Sequence, residues 1–463
     1  MSPCRGDALL TPAVQDEEEF RLPGDDAADQ PGARDAVDLG VLACPARRMS
    51  APPRSQPVAP RLSPEPWGRL FLRFLRFGLL AWGGPVAQIA MIRQELVEEA
   101  RWVSRERFNR VLAVYQVLPG PEAHELCVYF GMLARGRLGG LLAGLGFMLP
   151  GFLLMFGLSA LYVAGVRSPL WQATFLGMQP AVAALVIRAV HRLGTHVLTD
   201  RWAWAVAAAT ALGETLGQPF WVTLPTAGLA ALLARGGRRL RIAAGLLLVT
   251  VLLAGLVQVG ETRRPRLEAP RWHLPHSTVP SSPGEATGEP AVGRLFLSGL
   301  RAGLLTFGGA YTVLPFLRRD AVEVGRWMTD AQFLDGVALS GILPAPFIIF
   351  STFVGFLGGG PLGALALTLG IFLPAFAITL TGHGALERLV EVPGVRTFLD
   401  GVSAGVVGLI ATTALAFFVT GVRDLAGGVL FAIALVTLLL WQARTAVAAV
   451  VAAAGAAGLL LFR

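Results

Sequence analysis

Trp82-Gly83-Gly84-Pro85, Leu118-Pro119-Gly120-Pro121 and Leu149-Pro150-Gly151-Phe152 follow one another within one block of the chain. A second block repeats them as Phe307-Gly308-Gly309-Ala310, Leu343-Pro344-Ala345-Pro346 and Leu373-Pro374-Ala375-Phe376. Between these elements Arg93 aligns with Arg318, Trp102 with Trp327 and Phe108 with Phe333. The offset is 225 residues from Gly78/Gly303 to Pro121/Pro346, and 224 from Gly131/Gly355 to Pro150/Pro374. An internal duplication of this kind constrains every later statement about the fold.

Composition points to a membrane. Hydrophobic residues make up 54% of the chain and charged residues 15%, with a mean hydropathy of +0.59. A soluble domain is about 25% charged. The net charge of +8 comes from arginine alone, because the chain has no lysine. We read that as compositional bias and expect no nucleic-acid partner. Without lysine there is no P-loop to bind nucleotide phosphates and no Schiff-base site. Active transport would draw on an ion gradient or on a partner protein. Cys4, Cys44 and Cys127 form neither a disulfide framework nor a metal-binding spacing. No cofactor is expected.

Residues 1–66 are acidic and proline-rich and read as a disordered tail, with Met49 as an alternative start. From Trp67 onward, about 13 apolar segments are long enough to count as membrane spans. They fall at 68–90, 108–132, 138–165, 171–190, 201–217, 218–234, 240–259, 292–317, 331–357, 361–385, 397–420, 424–440 and 442–462. The fifth, sixth, twelfth and thirteenth are short and joined by tight turns. The chain then divides into a first repeat at 67–239, a spacer segment and polar linker at 240–290, and a second repeat at 291–463. Equivalent helices start seven segments apart, and an odd number of crossings inverts one copy relative to the other. The expected fold is therefore an all-α polytopic bundle of two inverted repeats with proline-broken helices. Inverted repeats are a plan of secondary transporters, which bind substrate near the midplane, and the two Leu-Pro-x-Pro breaks are expected to face each other across it. With the N-terminus cytoplasmic, inside loops gather Arg135 and Arg137, Arg188 and Arg192, and the cluster from Arg235 to Arg241. The loop at 91–107, with Arg93, Arg101, Arg105 and Arg107, breaks that pattern.

The Leu-Pro-x-Pro elements are the leading site candidates. Proline inside an apolar span breaks the hydrogen-bond ladder. The restarted helix then presents free N–H groups and a positive dipole end, which suit an anion. A packing kink is the plain alternative. Gly83, Gly84, Gly308 and Gly309 allow close backbone approach, or serve helix packing. Arg93, Arg318 and Arg319 suit oxyanion contact, or end solvated helices. Glu122, Glu125 and Tyr129 share a helix face, and carboxylates in a membrane segment are candidates for carrying protons. A helix mouth near water is the alternative. The second copy has Phe347 and Phe350 in this region, so proton coupling is expected in the first copy. Asp335 and Asp400, each in Phe-Leu-Asp-Gly, read as helix caps or as acids near apolar spans. His383 reads as interfacial. No cluster has metal-binding spacing, and no nucleophile and base cluster as an enzyme would need.

Two strings carry a resemblance. The first runs Gln116-Val117-Leu118-Pro119-Gly120-Pro121-Glu122-Ala123, then Tyr129-Phe130-Gly131 and Leu149-Pro150-Gly151. The second runs Thr306-Phe307-Gly308-Gly309-Ala310-Tyr311, Phe333-Leu334-Asp335-Gly336 and Leu343-Pro344-Ala345-Pro346, then Phe350-Ser351-Thr352-Phe353-Val354-Gly355. Together they resemble the two domains of the chromate ion transporter family, over nearly everything after residue 66. The resemblance implies a bacterial inner-membrane exporter of chromate, driven by the proton gradient or membrane potential and conferring chromate resistance. The family's site residues carry over to Gly83, Gly84, Arg93, Pro119, Gly120 and Pro121. With their second-copy counterparts Gly308, Gly309, Arg318, Pro344 and Pro346, they form the expected substrate site, and Glu122 or Glu125 would couple protons. Sulfate has the same shape and charge as chromate and stays open as the substrate. A passive anion channel and a homodimer also stay open.

Overall fold

Two proline- or glycine-broken elements in each copy set the architecture. The structure, a computed structural model, describes residues 65–116, 118–165, 168–235, 291–307, 309–382, 392–441 and 445–462, with Arg388 and Ala443. The expected N-terminal tail up to Pro64, the spacer segment at 240–259, the linker to Pro290, His383 and Gly308 lie outside the described residues. Among the described residues regular structure is helical, and a single extended bridge joins Pro119 to Phe307. The all-helical bundle is as expected.

The first copy runs through α1 (Trp67–Leu79), α2 (Gly84–Arg93), a π-helical turn (Gln94–Glu99), α3 (Arg105–Tyr115) and α4 (Glu122–Gly165). It continues with α5 (Pro169–Val197) and the short pair α6 (Arg201–Thr215) and α7 (Phe220–Arg235). The second copy runs through α8 (Val292–Leu304), α9 (Leu314–Arg318), a π-helical turn (Arg319–Val324), α10 (Asp330–Ile342) and α11 (Phe350–Ala377). It ends with α12 (Pro393–Gly421) and the short pair α13 (Leu425–Leu440) and α14 (Ala446–Leu461).

The expected spans at 68–90, 108–132, 292–317 and 331–357 are each broken. At the first break Gly83 (φ 86°) and Gly84 (φ 78°) adopt left-handed backbone, which a Cβ disfavours, and Pro85 starts the new helix. At the second, Pro119 and Pro121 supply no N–H to a continuing ladder. By contrast, α4 and α11 each join two expected spans through a reversal. Arg135 and Gly136 take φ/ψ of −146/30° and 65/−160°. Their twins Gly359 and Gly360 take −163/30° and 58/−150°. The π-helical turns are twins as well, and two residues after each comes a left-handed arginine, Arg101 (φ 51°) and Arg326 (φ 53°). A non-glycine residue held there costs on the order of 1–3 kcal/mol. The duplication is thus visible in backbone angles and not only in sequence.

Four described stretches are long and apolar enough to cross a bilayer: Glu122–Gly165, Pro169–Val197, Phe347–Gly382 and Pro393–Gly421. The paired helices α6/α7 and α13/α14 have 15 or 16 residues each. At about 1.5 Å per residue they fall short of a hydrocarbon core about 30 Å thick. Exposed leucines repeat on the outer faces of both reversals, with Leu138, Leu141 and Leu149 matched by Leu362, Leu365 and Leu373. Such stripes fit lipid.

The copies interlock. Within each copy a glycine lets two helices touch: Gly78 abuts the Phe147 carbonyl, and its twin Gly303 abuts that of Ile371. Between copies, α5 packs on the second copy's α13/α14 pair, and its twin α12 packs on α6/α7. Gly177 meets Ala454 and Gly458, while Gly401 meets Ala227 and Gly228. Small residues allow this approach, as at other membrane helix interfaces. A Cβ on Gly177 would collide with backbone, whereas one on Gly157 meets nothing within 4 Å. Gly177→Ala is expected to cost at least about 1–3 kcal/mol, and Gly177→Leu to abolish monodisperse protein in detergent size-exclusion chromatography. Gly157→Leu should elute as the parent does.

Candidate functional site

A helix that restarts inside the bilayer leaves backbone groups needing partners. The first copy satisfies some of them from the second. The Gly120 N–H donates to the Thr306 carbonyl at 2.8 Å, beside the Pro119–Phe307 bridge. On the twin side a side chain does this work. Gln88 Nε2 donates to the Ala81 carbonyl at 3.1 Å and reaches the Ala345 carbonyl at 3.5 Å. A Cβ on Gly120 would lie 3.3 Å from that of Ala375, and one on Gly151 would lie 2.7 Å from that of Ala345. Each break therefore meets the Gly-Gly turn of the other copy, through Thr306 and Phe307 or through Gln88 and Ala81, and packs on the other copy's third proline element.

A cavity of about 620 Å³ opens between these crossed elements and helices α5, α6, α7 and α12. Its wall includes Gln116 and Glu122 from the first break, Gly309 and Tyr311 from the second copy's turn, and Arg192 and Asp400. A smaller cavity of about 30 Å³ lies between the other pair of crossed elements, with Trp82, Gly83, Gly84, Ala345 and Phe347 in its wall. The expected site residues are thus divided. Glu122 and Gly309 line the large cavity, and Gly83 and Gly84 the small one. Pro119 and Gly120 form the bridge. Pro121 opens α4, its carbonyl accepting from the His124 and Glu125 N–H groups. Pro344 and Pro346 flank Ala345 in the second break.

Arg93 and Arg318 are in the wall of neither cavity. Each packs against a glutamate five residues on, because a π-helical turn places residues i and i+5 side by side. Arg93 Nε donates to Glu98 at 3.3 Å, and Arg318 pairs with Glu323. Arg318 also makes a two-pronged contact with Asp330, at 2.7 and 3.2 Å. Hydrogen bonding from Arg105, with Arg93 beside it, holds the Glu98 carboxyl below the usual carboxylate range. These arginines fasten the turns that follow the breaks.

The cations near the cavity are others. The α5 helix runs to Val197, so Arg188 and Arg192 stand on a helix rather than in the expected inside loop. Both act electrostatically on the Tyr311 hydroxyl. Among the described residues no carboxylate pairs with Arg192, whereas Arg235 in the same wall is paired with Asp200.

Glu122 and Glu125 sit in the first turn of α4, where acidic residues suit the helix dipole. Glu125 is fully buried, and neither of its oxygens has a hydrogen-bond partner among the described residues. It packs against Gly120, where a Cβ would stand 2.7 Å from Oε1. His124 is buried among Phe147 and the second copy's Phe372 and Phe376, at ring distances of 6.4, 4.9 and 4.6 Å.

Asp335 and Asp400 are not caps. Asp335 lies within α10, buried, and accepts from Tyr162 at 2.8 Å and Gln179 at 2.9 Å, both on the first copy. Asp400 lies within α12 on the large cavity. Sequence reasoning passed over Gln88, Tyr162, Gln179 and Tyr311. Their one signal is a lone polar group inside an apolar run, which in a membrane demands a partner. Hydrogen bonds to charged groups are worth roughly 1.5–3 kcal/mol. Tyr162→Phe should remove about that much stability, read as a lower melting temperature of the detergent-purified protein.

The chain matches the family described as "Chromate transporter" over residues 68–257 and again over 293–459. It is 53% identical over 406 residues to the "Chromate transport protein" of Pseudomonas aeruginosa, covering 86% of this chain and 93% of that one. A "Probable chromate transport protein" of Synechococcus elongatus is 30% identical, covering 73% of this chain and 81% of its own. The "Chromate transport protein" of Cupriavidus metallidurans is 28% identical, over 85% and 93%. No solved structure matches the chain significantly. With both copies matched and the helices built for a bilayer, this membrane protein belongs to the chromate transporter family.

Proposed function

We propose that this protein is a secondary active transporter that exports chromate across a bacterial inner membrane, driven by the proton gradient or membrane potential, and so confers chromate resistance. The observation that carries this reading is the large cavity. It joins the first copy's restarted helix to the second copy's glycine turn, and Arg192 stands in its wall without a carboxylate partner among the described residues. A dianion entering there gains from the Arg192 and Arg188 charges and from backbone N–H groups at the helix restart. Arg93 and Arg318 are already committed to carboxylates, so the anion contact falls to Arg192 in this mechanism. The glycines and prolines of the breaks give the path its shape.

Glu122 faces the same space, and Glu125 lies one turn behind it. A carboxylate there repels a dianion when ionised and admits it when protonated. Proton and dianion therefore load together at Glu122, with Glu125 as the inner acceptor, and an inside-negative membrane potential drives the net-negative load outward. Sulfate shares the shape and charge of chromate and would compete.

Proteoliposomes with an imposed pH gradient test this. Chromate flux should rise with the gradient, fall with an uncoupler and fall with excess sulfate. Arg192→Ala should lower flux roughly tenfold or more, the equivalent of about 1.4 kcal/mol. Glu122→Gln should retain chromate–chromate exchange while losing its response to the gradient. Flux unaffected by both substitutions would remove this site from the mechanism.

A further inference from the structure

Three residues in the wall of the large cavity have twins in the wall of the small one. Gln116, Glu122 and Gly309 of the large cavity correspond, at the 225-residue offset, to Gly341, Phe347 and Gly84 of the small one. The large cavity combines the first copy's break with the second copy's turn, and Pro85 and Val86, just after the first copy's turn, also reach its wall. The small cavity combines the second copy's break with the first copy's turn. One measures about 620 Å³ and the other about 30 Å³. Side-chain bulk is not the whole cause, since Gly341 is smaller than its twin Gln116. The large cavity is walled in addition by helices α5, α6, α7 and α12, which do not line the small one.

One residue belongs to both walls. Tyr311 lines the large cavity and the small one. Its ring lies 4.2 Å from that of Phe347, itself in the wall of the small cavity. Gln88 holds the Ala81 and Ala345 carbonyls together beside that small cavity, where the twin crossing uses a direct backbone bond. A side-chain amide turns about its own bonds, so this crossing parts without breaking a backbone pairing.

We propose that the small cavity is the closed, opposite-facing half of the substrate path. It takes the same tetrahedral dianion once the two copies exchange conformations, and the Tyr311–Phe347 pair is the gate between the halves. This rests on the transport reading above. Exchange of conformation between repeats interconverts twin cavities, as rocking of one repeat against the other requires. Ser340 Oγ, now donating to the Phe347 carbonyl at 2.9 Å, then becomes available to an oxyanion.

The full-length chain tests this in a cysteine-free background, with Cys4, Cys44 and Cys127 replaced by serine. Ser403→Cys reports on the large cavity and Ser340→Cys on the small one. A membrane-impermeant maleimide is applied to right-side-out and to inside-out vesicles. Ser403→Cys should label from one side and Ser340→Cys from the other, each at least roughly tenfold faster than from its disfavoured side. Labelling of both from the same side, or no labelling of Ser340→Cys from either, overturns the proposal. Chromate flux is measured in the same vesicles. Opposite-sided labelling without flux leaves the two-sided path standing and sinks the transport reading instead. Tyr311→Ala should pass chromate without a pH gradient, while Tyr311→Phe, which keeps the ring, should not. Equal gradient dependence in both variants would remove the gate assignment.

Discussion

The hydrogen bond from the Gly120 N–H to the Thr306 carbonyl answers the constraint on which this fold depends. Hydrocarbon supplies no partner for a backbone broken by proline or glycine. Four breaks in one bundle would be untenable if each had to be satisfied locally. Crossing the elements of one copy with those of the other solves this and brings irregular backbone from both copies to one region. The same crossing creates the cavities, because two elements that cannot continue as packed helices leave space beside them.

Interlocking follows from the same demand. The α5 and α12 helices each leave their own copy to pack on the other's short helical pair. Glycines at the contacts, such as Gly177 and Gly401, allow backbone to touch backbone. The core is consequently shared, and Asp335 is tied across the interface by Tyr162 and Gln179. Buried polar ties of this kind specify one arrangement among several apolar packings that differ little in energy.

Charge is divided by role. The arginines after the breaks, Arg93 and Arg318, are spent on holding the π-helical turns. The arginine in the cavity wall without a carboxylate partner comes from α5, an otherwise apolar helix. The acids are divided similarly, with Glu98 and Glu323 in surface pairs, Glu122 in the wall of the large cavity and Glu125 buried one turn on. The two copies keep one backbone and differ in side chains, as Glu122 against Phe347 illustrates. The geometry is shared and the chemistry is unequal.

The sequence by itself determined the helical membrane class, the duplication and the locations of the breaks. Proline, glycine and long apolar runs act locally, and their consequences need no knowledge of distant residues. It also marked Glu122, Glu125, Gly309 and the Leu-Pro-x-Pro elements as the region of interest. Only the tertiary structure decided which element meets which. The sequence pattern suggests that the twin breaks face each other, whereas the fold crosses each with the other copy's turn, because unpaired N–H and C=O groups pair with whatever extended backbone packing brings within reach. It also took Arg93 and Arg318 into salt bridges and brought Arg192 and Tyr311 to the cavity. An arginine reads the same in a sequence whether a carboxylate waits five residues away on a π-helical turn or a cavity opens in front of it, and that difference is made by packing.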